Sequence, residues 1–183
     1  MLKPVAEDFK PPERTFVFTA SALDLYRNDK SRRFHEAILE TIKNGKVNAV
    51  VTPLELAKLK KYVGEEKYYT TYLPVWKSHR SNVFCIKFDI RDKCSLDCYS
   101  QLYKLFMNHN LHLADLSSAI ASIELTVPLI TDDYHHWSVQ RNLTKAYDNR
   151  HCKEIADCLA RKEKRKYFEM YTSQDFCNFF IKF

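Results

Sequence analysis

The sequence predicts an α/β domain in three layers: a central parallel sheet of about four to five strands with helices on both faces. Two observations point there. Short β-rich apolar runs at Thr15–Thr19, Val47–Val51, Asn82–Phe88 and Val127–Thr131 alternate with longer stretches of helical periodicity, the pattern of successive β–α units. Glycine is nearly absent, with Gly45 and Gly64 alone, which argues against a turn-dense all-β fold and against a glycine-rich phosphate loop.

The elements follow in order. Residues 1–14 form a polar, proline-containing tail expected to be loosely ordered. TFVFT (Thr15–Thr19) is the first strand. Ser21 is a candidate N-cap, with Asp24 three residues on, for a short helix over Ala22–Tyr26. Ser31–Lys43 carries Phe34, Ala37, Ile38 and Ile42 on one helical face and stops at Asn44-Gly45. VNAVV (Val47–Val51) is the second strand, and Thr52-Pro53 starts a helix with a cap and an early proline. Gly64 separates that helix from another over about Glu65–Ser78. NVFCIKF (Asn82–Phe88) is the third strand, followed by a turn at Asp89–Asp92 and helical spacing over Cys94–His109. His112–Thr126 is helical, VPLIT (Val127–Thr131) is the fourth strand, and a polar, helical insertion is expected at about 138–166. YFEMY (Tyr167–Tyr171) is a candidate fifth strand and Ser173–Phe180 a last short helix. Residues 15–183 thus read as one domain. Thr19, Thr52 and Thr131 all fall at carboxyl ends of strands, where parallel sheets carry their functional groups.

Bulk properties narrow the classes. With 45% hydrophobic and 28% charged residues, the chain is globular rather than disordered. A net charge of +6 points only weakly toward a polyanionic partner. The opening MLKPVAEDFKPP lacks an apolar core for a signal peptide, and no run has the length of a membrane span. An intracellular protein, cytoplasmic or nuclear, with reduced cysteines and no membrane partner is the expectation.

Three segments resemble the PIN-domain family of ribonucleases. FVFTASAL (Phe16–Leu23) resembles its opening strand and turn, where the family reads apolar run, Asp, small residue, Ser. TPLELAKL (Thr52–Leu59) resembles the helix that presents a Glu just before a Leu. LHLADLSSAIASIELTVPLITDDYHHW (Leu111–Trp137) is the closest stretch, with the Ala-Asp that opens an acidic helix, a small-residue stripe, a Pro-Leu strand and a Thr-x-Asp ending. YTSQDF (Tyr171–Phe176) resembles the closing segment. The resemblance implies a carboxylate cluster holding Mg²⁺ or Mn²⁺, because hard divalent ions take oxygen ligands and activate a bound water.

Carried over residue by residue, the motif is half present. Asp115 matches the acid of the acidic helix and Asp133 the acid after the fourth strand, with Asp132 beside it. These two are the candidate metal ligands. The first family Asp falls on Thr19 and the helix Glu on Lys58. Thr19 offers a neutral hydroxyl, and an ammonium at Lys58 competes with a metal and can replace it as counter-ion. Glu55, one turn before Lys58, and Asp24 are candidate rescuing acids. Read one by one, Asp115 is a helix-start acid and Asp132 and Asp133 are turn formers; strand-end geometry favours a shared acidic pocket.

The implied function is a PIN-like pseudo-nuclease, impaired in catalysis, that binds RNA, takes part in RNA processing or serves as a module of a ribonucleoprotein or protein assembly. The alternative is an active Mg²⁺- or Mn²⁺-dependent ribonuclease with a rearranged acidic site. Arg32, Arg33, Lys58, Lys60 and Lys61 are candidate nucleic-acid contacts, with Tyr62, Tyr68, Tyr69, Tyr72 and Trp76 as candidate stacking partners or core residues. A second basic run lies at Arg161–Lys166. Cys94, Cys98, His109 and His112 are too far apart on one helix for a single zinc site. His135 and His136 read as loop surface residues, with phosphate or metal contact as the sharper option.

Overall fold

The computed structural model describes residues 10–78, 82–86, 112–138 and 169–181. Residues 1–9, the helix expected over Cys94–His109, the insertion beyond Ser138 and the basic run at Arg161–Lys166 lie outside the described residues.

Five strands form one sheet: β1 (Thr15–Phe18), β2 (Asn48–Val51), β3 (Val83–Cys85), β4 (Leu129–Ile130) and β5 (Met170–Tyr171). Their order is β3-β2-β1-β4-β5, and every pairing is parallel. Among the described residues the helices are α1 (Ala20–Leu23), α2 (Asp29–Lys43), α3 (Pro53–Val63), α4 (Glu65–Lys67), α5 (Leu73–Ser78), α6 (Leu113–Leu125), a short α7 at 134–138, and α8 (Ser173–Phe176).

The strands are buried on both faces, so successive side chains enter two different cores. Phe16, Phe18, Ala49 and Val51 join Phe34, Ile38 and Ile42 of α2 and Leu59 of α3 in one cluster. Phe176 closes this core from the other end of the chain, with its ring edge-on to Phe16 at 4.9 Å and to Phe18 at 5.5 Å. Val17, Val50 and Leu129 are equally buried but stand outside that cluster. Their side of the sheet is covered by α6, which packs on β1 and β4 and buries Ala119 and Ile123. Two covered faces make the three-layer α/β fold that the alternating runs predict.

Several boundaries moved for identifiable reasons. The first helix begins at Ala20, not Ala22, because the Ala20 N–H is taken by the Glu55 carboxylate at 2.6 Å. Ser21 is therefore inside the turn rather than its cap, and Asp24 sits at the C-cap, where Oδ1 accepts the Tyr26 N–H. The stretch after Gly64 is not one regular helix: Tyr68–Tyr72 is a π-helical turn between α4 and α5. That turn places buried Tyr72 so that its hydroxyl accepts the Leu25 N–H and donates to the Leu23 carbonyl, both at 3.0 Å. A second π-helical turn, Cys177–Ile181, follows α8. The expected tail is partly anchored, since the Asn48 N–H binds the Arg14 carbonyl at 2.9 Å and Arg14 Nη2 donates to the Phe180 carbonyl.

Strand order reverses at β1: the chain proceeds outward through β2 and β3, then returns to β4 and β5 on the other side. A crevice outside the carboxyl ends of the strands is the ordinary place for a site in such a sheet. The turns after β1, β2, β4 and β5 and the first turn of α6 meet there.

Candidate functional site

Thr52 follows β2 and caps α3, its Oγ1 accepting the Glu55 N–H at 3.3 Å. That start directs Glu55 inward, where it is 1% exposed. One turn later Lys58 reaches the first turn of α6, with Nζ 2.5 Å from Asp115 Oδ1. The Asp115 side chain is 1% exposed and the Lys58 side chain 10%. Thr52 and Ser117 clamp the same two helices through a 2.6 Å hydroxyl contact.

Every carboxylate oxygen in this cluster has an assigned protein partner. Asp115 Oδ2 accepts the His112 N–H at 3.0 Å, which makes it a helix-start acid as well as an ion-pair partner. Its Oδ1 also lies 3.4 Å from Nε2 of His136, a fully buried ring. Glu55 Oε2 accepts the Ala20 N–H at 2.6 Å, and Oε1 accepts the Ser118 hydroxyl at 2.8 Å. Thr19 Oγ1 donates to the Ile130 carbonyl at 3.2 Å and lies 2.8 Å from Ser21 Oγ.

The electrostatics follow from burial and charge. Burial works to raise the Asp115 carboxyl, but His136 and Lys58 overcome it and hold the group well below the usual carboxylate range. Burial pushes the Glu55 carboxyl up and the charge of Asp115 adds to that, against the pull of Lys58. Burial also works to lower Lys58, yet Glu55 and Asp115 keep its ammonium more firmly protonated than a free lysine.

A second pair joins the buried His35 ring to the half-buried Asp132. His35 Nε2 meets Asp132 Oδ2 at 2.6 Å, and His35 Nδ1 meets the Asp24 carbonyl at 2.7 Å. The Ser173 N–H donates to Asp132 Oδ1 at 2.8 Å. Burial opposes the Asp132 charge, but His35 and Ser173 outweigh it and the carboxyl is lowered.

The fold brings Glu55, Lys58 and Asp115 together, with Thr19 next to the Ala20 amide that binds Glu55. It does not join Asp133 or Asp24 to them through any described contact. The half-buried Asp133 closes its own turn, accepting the His135 N–H at 3.0 Å. Asp132, one residue earlier, is the acid drawn into the structure. His136 is not the surface residue its sequence context suggests, whereas His135 is exposed. His136, Ser118 and the His35–Asp132 pair carry no motif of their own. Their only sequence signal is position, near strand ends or one turn after an acid.

A divalent ion does not fit the residues as they stand. A cation already occupies Asp115 Oδ1, the Glu55 oxygens are engaged, and Thr19 supplies a bonded hydroxyl in place of a carboxylate. Among the described residues, no group of three or more His, Cys, Asp or Glu side chains is placed to hold a metal.

The basic candidates are mostly engaged. Lys58 is buried against Asp115 rather than offered to solvent. Arg32 pairs with Glu36 at 2.9 Å, Arg33 lies over the Phe34 ring, and Lys60 pairs with Glu65 at 2.6 Å. Lys61 is exposed. Tyr68, Tyr72 and Trp76 belong to the core, while Tyr62 and Tyr69 stay half exposed. Among the described residues, no helix is long and apolar enough to cross a membrane. Cys85 and Cys177 are free thiols, Cys85 half-buried and Cys177 buried.

No family model and no curated protein matches the chain. Among solved structures it is similar to the crystal structure of PAE2754 from Pyrobaculum aerophilum, at 14% identity over 68% of this chain and 85% of that one, with a TM-score of 0.39. A likeness of that size carries no argument about activity.

Proposed function

We propose that this chain is a PIN-like domain that has lost metal-dependent cleavage and acts in RNA binding or RNA processing, as a module of a ribonucleoprotein or protein assembly. The ion pair between Lys58 and Asp115 carries this reading. The resemblance calls for a carboxylate at position 58. The lysine there supplies from within the positive charge that a divalent ion would bring, and so neutralises the remaining acid. Thr19 at the other expected acid position supports the same reading. The net charge of +6 supports a polyanionic partner.

The test is incubation of the protein with single-stranded RNA and Mn²⁺, together with calorimetric titration of Mn²⁺. The expected result is no metal-dependent cleavage and no heat of metal binding. Mn²⁺ binding should appear when Thr19→Asp and Lys58→Glu are combined. Mn²⁺-dependent cleavage by the unaltered protein, abolished in Asp115→Asn, would sink the reading.

One observation favours the alternative of an active Mg²⁺- or Mn²⁺-dependent ribonuclease. Glu55 is buried close enough to Asp115 for the two charges to interact, as a rescuing acid requires. That alternative expects metal-dependent cleavage that falls sharply in Glu55→Gln.

A further inference from the structure

A second feature of the carboxyl edge lies on the far side of the His35–Asp132 pair. A cleft of about 420 Å³ opens between the start of α2, the end of β4 and the start of α8. Arg27 and Lys30 line it, both exposed. Neither has an ion-pair partner among the described residues, unlike Arg32 and Lys60. Gln174 adds an amide to the wall, and Ser31 adds a hydroxyl that donates to the Asn28 carbonyl at 3.2 Å. Among the described residues Asp132 is the one carboxylate in the lining, and its two oxygens are already engaged by His35 and by the Ser173 N–H. The Ser173 side chain is 1% exposed and also lines the cleft. Its hydroxyl sits beside Asp132 and helps hold that charge, yet makes no hydrogen bond of ordinary geometry.

We infer that this cleft is an oxyanion site for a phosphate group of an RNA strand lying across the carboxyl edge of the sheet. The physical basis is the combination of two unpaired cations, a concave wall with polar donors and a floor whose only acid is already compensated. The positive end of the fifteen-residue α2 adds to the same field. A phosphate takes up the charge of Arg27 and Lys30 at the mouth of the cleft. Identification of the strand as RNA rests on the reading proposed above, whereas the oxyanion site rests on the cleft alone.

The test uses the full chain and two probes. The first is a fluorescein-labelled oligouridylate, followed by anisotropy at several salt concentrations. Replacing Arg27→Gln and Lys30→Gln together should weaken binding about tenfold at low salt and reduce the log–log salt slope by roughly 0.7 for each lost phosphate contact. Lys43→Gln with Lys46→Gln removes the same charge at and beyond the opposite end of α2 and should change affinity less than about twofold. The second probe is inorganic phosphate, followed by amide chemical shifts, which should move at Ser31 and Gln174.

Equal weakening by both charge-removed pairs would overturn the cleft, as would phosphate titration without shifts at Ser31 and Gln174. RNA binding that ignores Arg27 and Lys30 would also overturn it, while leaving the RNA reading standing. Phosphate shifts at Ser31 and Gln174 without any RNA affinity would support the oxyanion site and remove RNA as its ligand.

Discussion

Lys58 and Asp115 differ in exposure, and the difference sets what each contributes. Asp115 is sealed, while Lys58 keeps a tenth of its side chain in water. Removing the lysine leaves a buried carboxylate without its counter-ion. Lys58→Met should therefore destabilise the fold by about 3 kcal/mol, the lower end for a broken buried pair. Urea unfolding measures this, and adding Asp115→Asn should recover much of the loss. An unchanged midpoint in Lys58→Met would mean the pair contributes nothing. Glu55 behaves in the opposite way. Burial raises its carboxyl above the unfolded value, so its contribution is complete at low pH and is lost as pH rises through the folded value. A glutamine keeps the contacts: its oxygen accepts the Ala20 N–H, and its amide donates to Ser118, whose hydroxyl turns to the Ala114 carbonyl at 3.2 Å. Glu55→Gln should thus leave the urea midpoint unchanged or raised at pH 7, with less gain at pH 5. A large loss at pH 7 would show that the charge itself is needed.

Local residue choices explain most of the elements. Thr52-Pro53 starts α3 as its chemistry dictates, and Gly64 ends it at φ +85. A Cβ at Gly64 meets nothing within 4 Å. With ψ at 157, Gly64 lies in a region open essentially to glycine alone, so the cost of Gly64→Ala is confined to the backbone, about 1–3 kcal/mol by urea or thermal unfolding. A substitution without cost would mean that the junction relaxes to negative φ. The π-helical turn at Tyr68–Tyr72 had no readable signal. Over five residues an i+4 and an i+5 ladder present almost the same apolar face. The choice depends on Tyr72 reaching Leu23 and Leu25, which lie far away in sequence. The early start of α1 has a similar cause, since its first amide is bound by Glu55 from another helix.

The whole molecule gathers two depressed carboxyls at one edge of the sheet. Asp115 and Asp132 both titrate lower in the folded chain than in the unfolded one. Their stabilisation is complete above about pH 4 and is lost as pH falls through the lower folded values. Urea midpoints should fall steeply below about pH 4, and Asp132→Asn should make that fall shallower. A profile that stays level down to pH 3 would contradict the network.

The sequence by itself determined the layer architecture and the positions of the strands, and it pointed to the carboxyl edge as the place to expect a site. Apolar periodicity and helix punctuation act locally, so they can be read along the chain. Asp115 and Lys58 were legible as opposed charges, and a lysine serving as counter-ion was a readable option. Only the tertiary structure decided which groups meet. It chose Asp132 over Asp133 as the acid paired with a buried histidine, drew His136 inside, set Asp24 apart and set Arg27 and Lys30 around a cleft with Gln174. Those outcomes depend on strand order and helix packing. A shift of one residue at a strand end turns a side chain from one environment to the other, and nothing local in a turn such as Thr131–His136 specifies that shift.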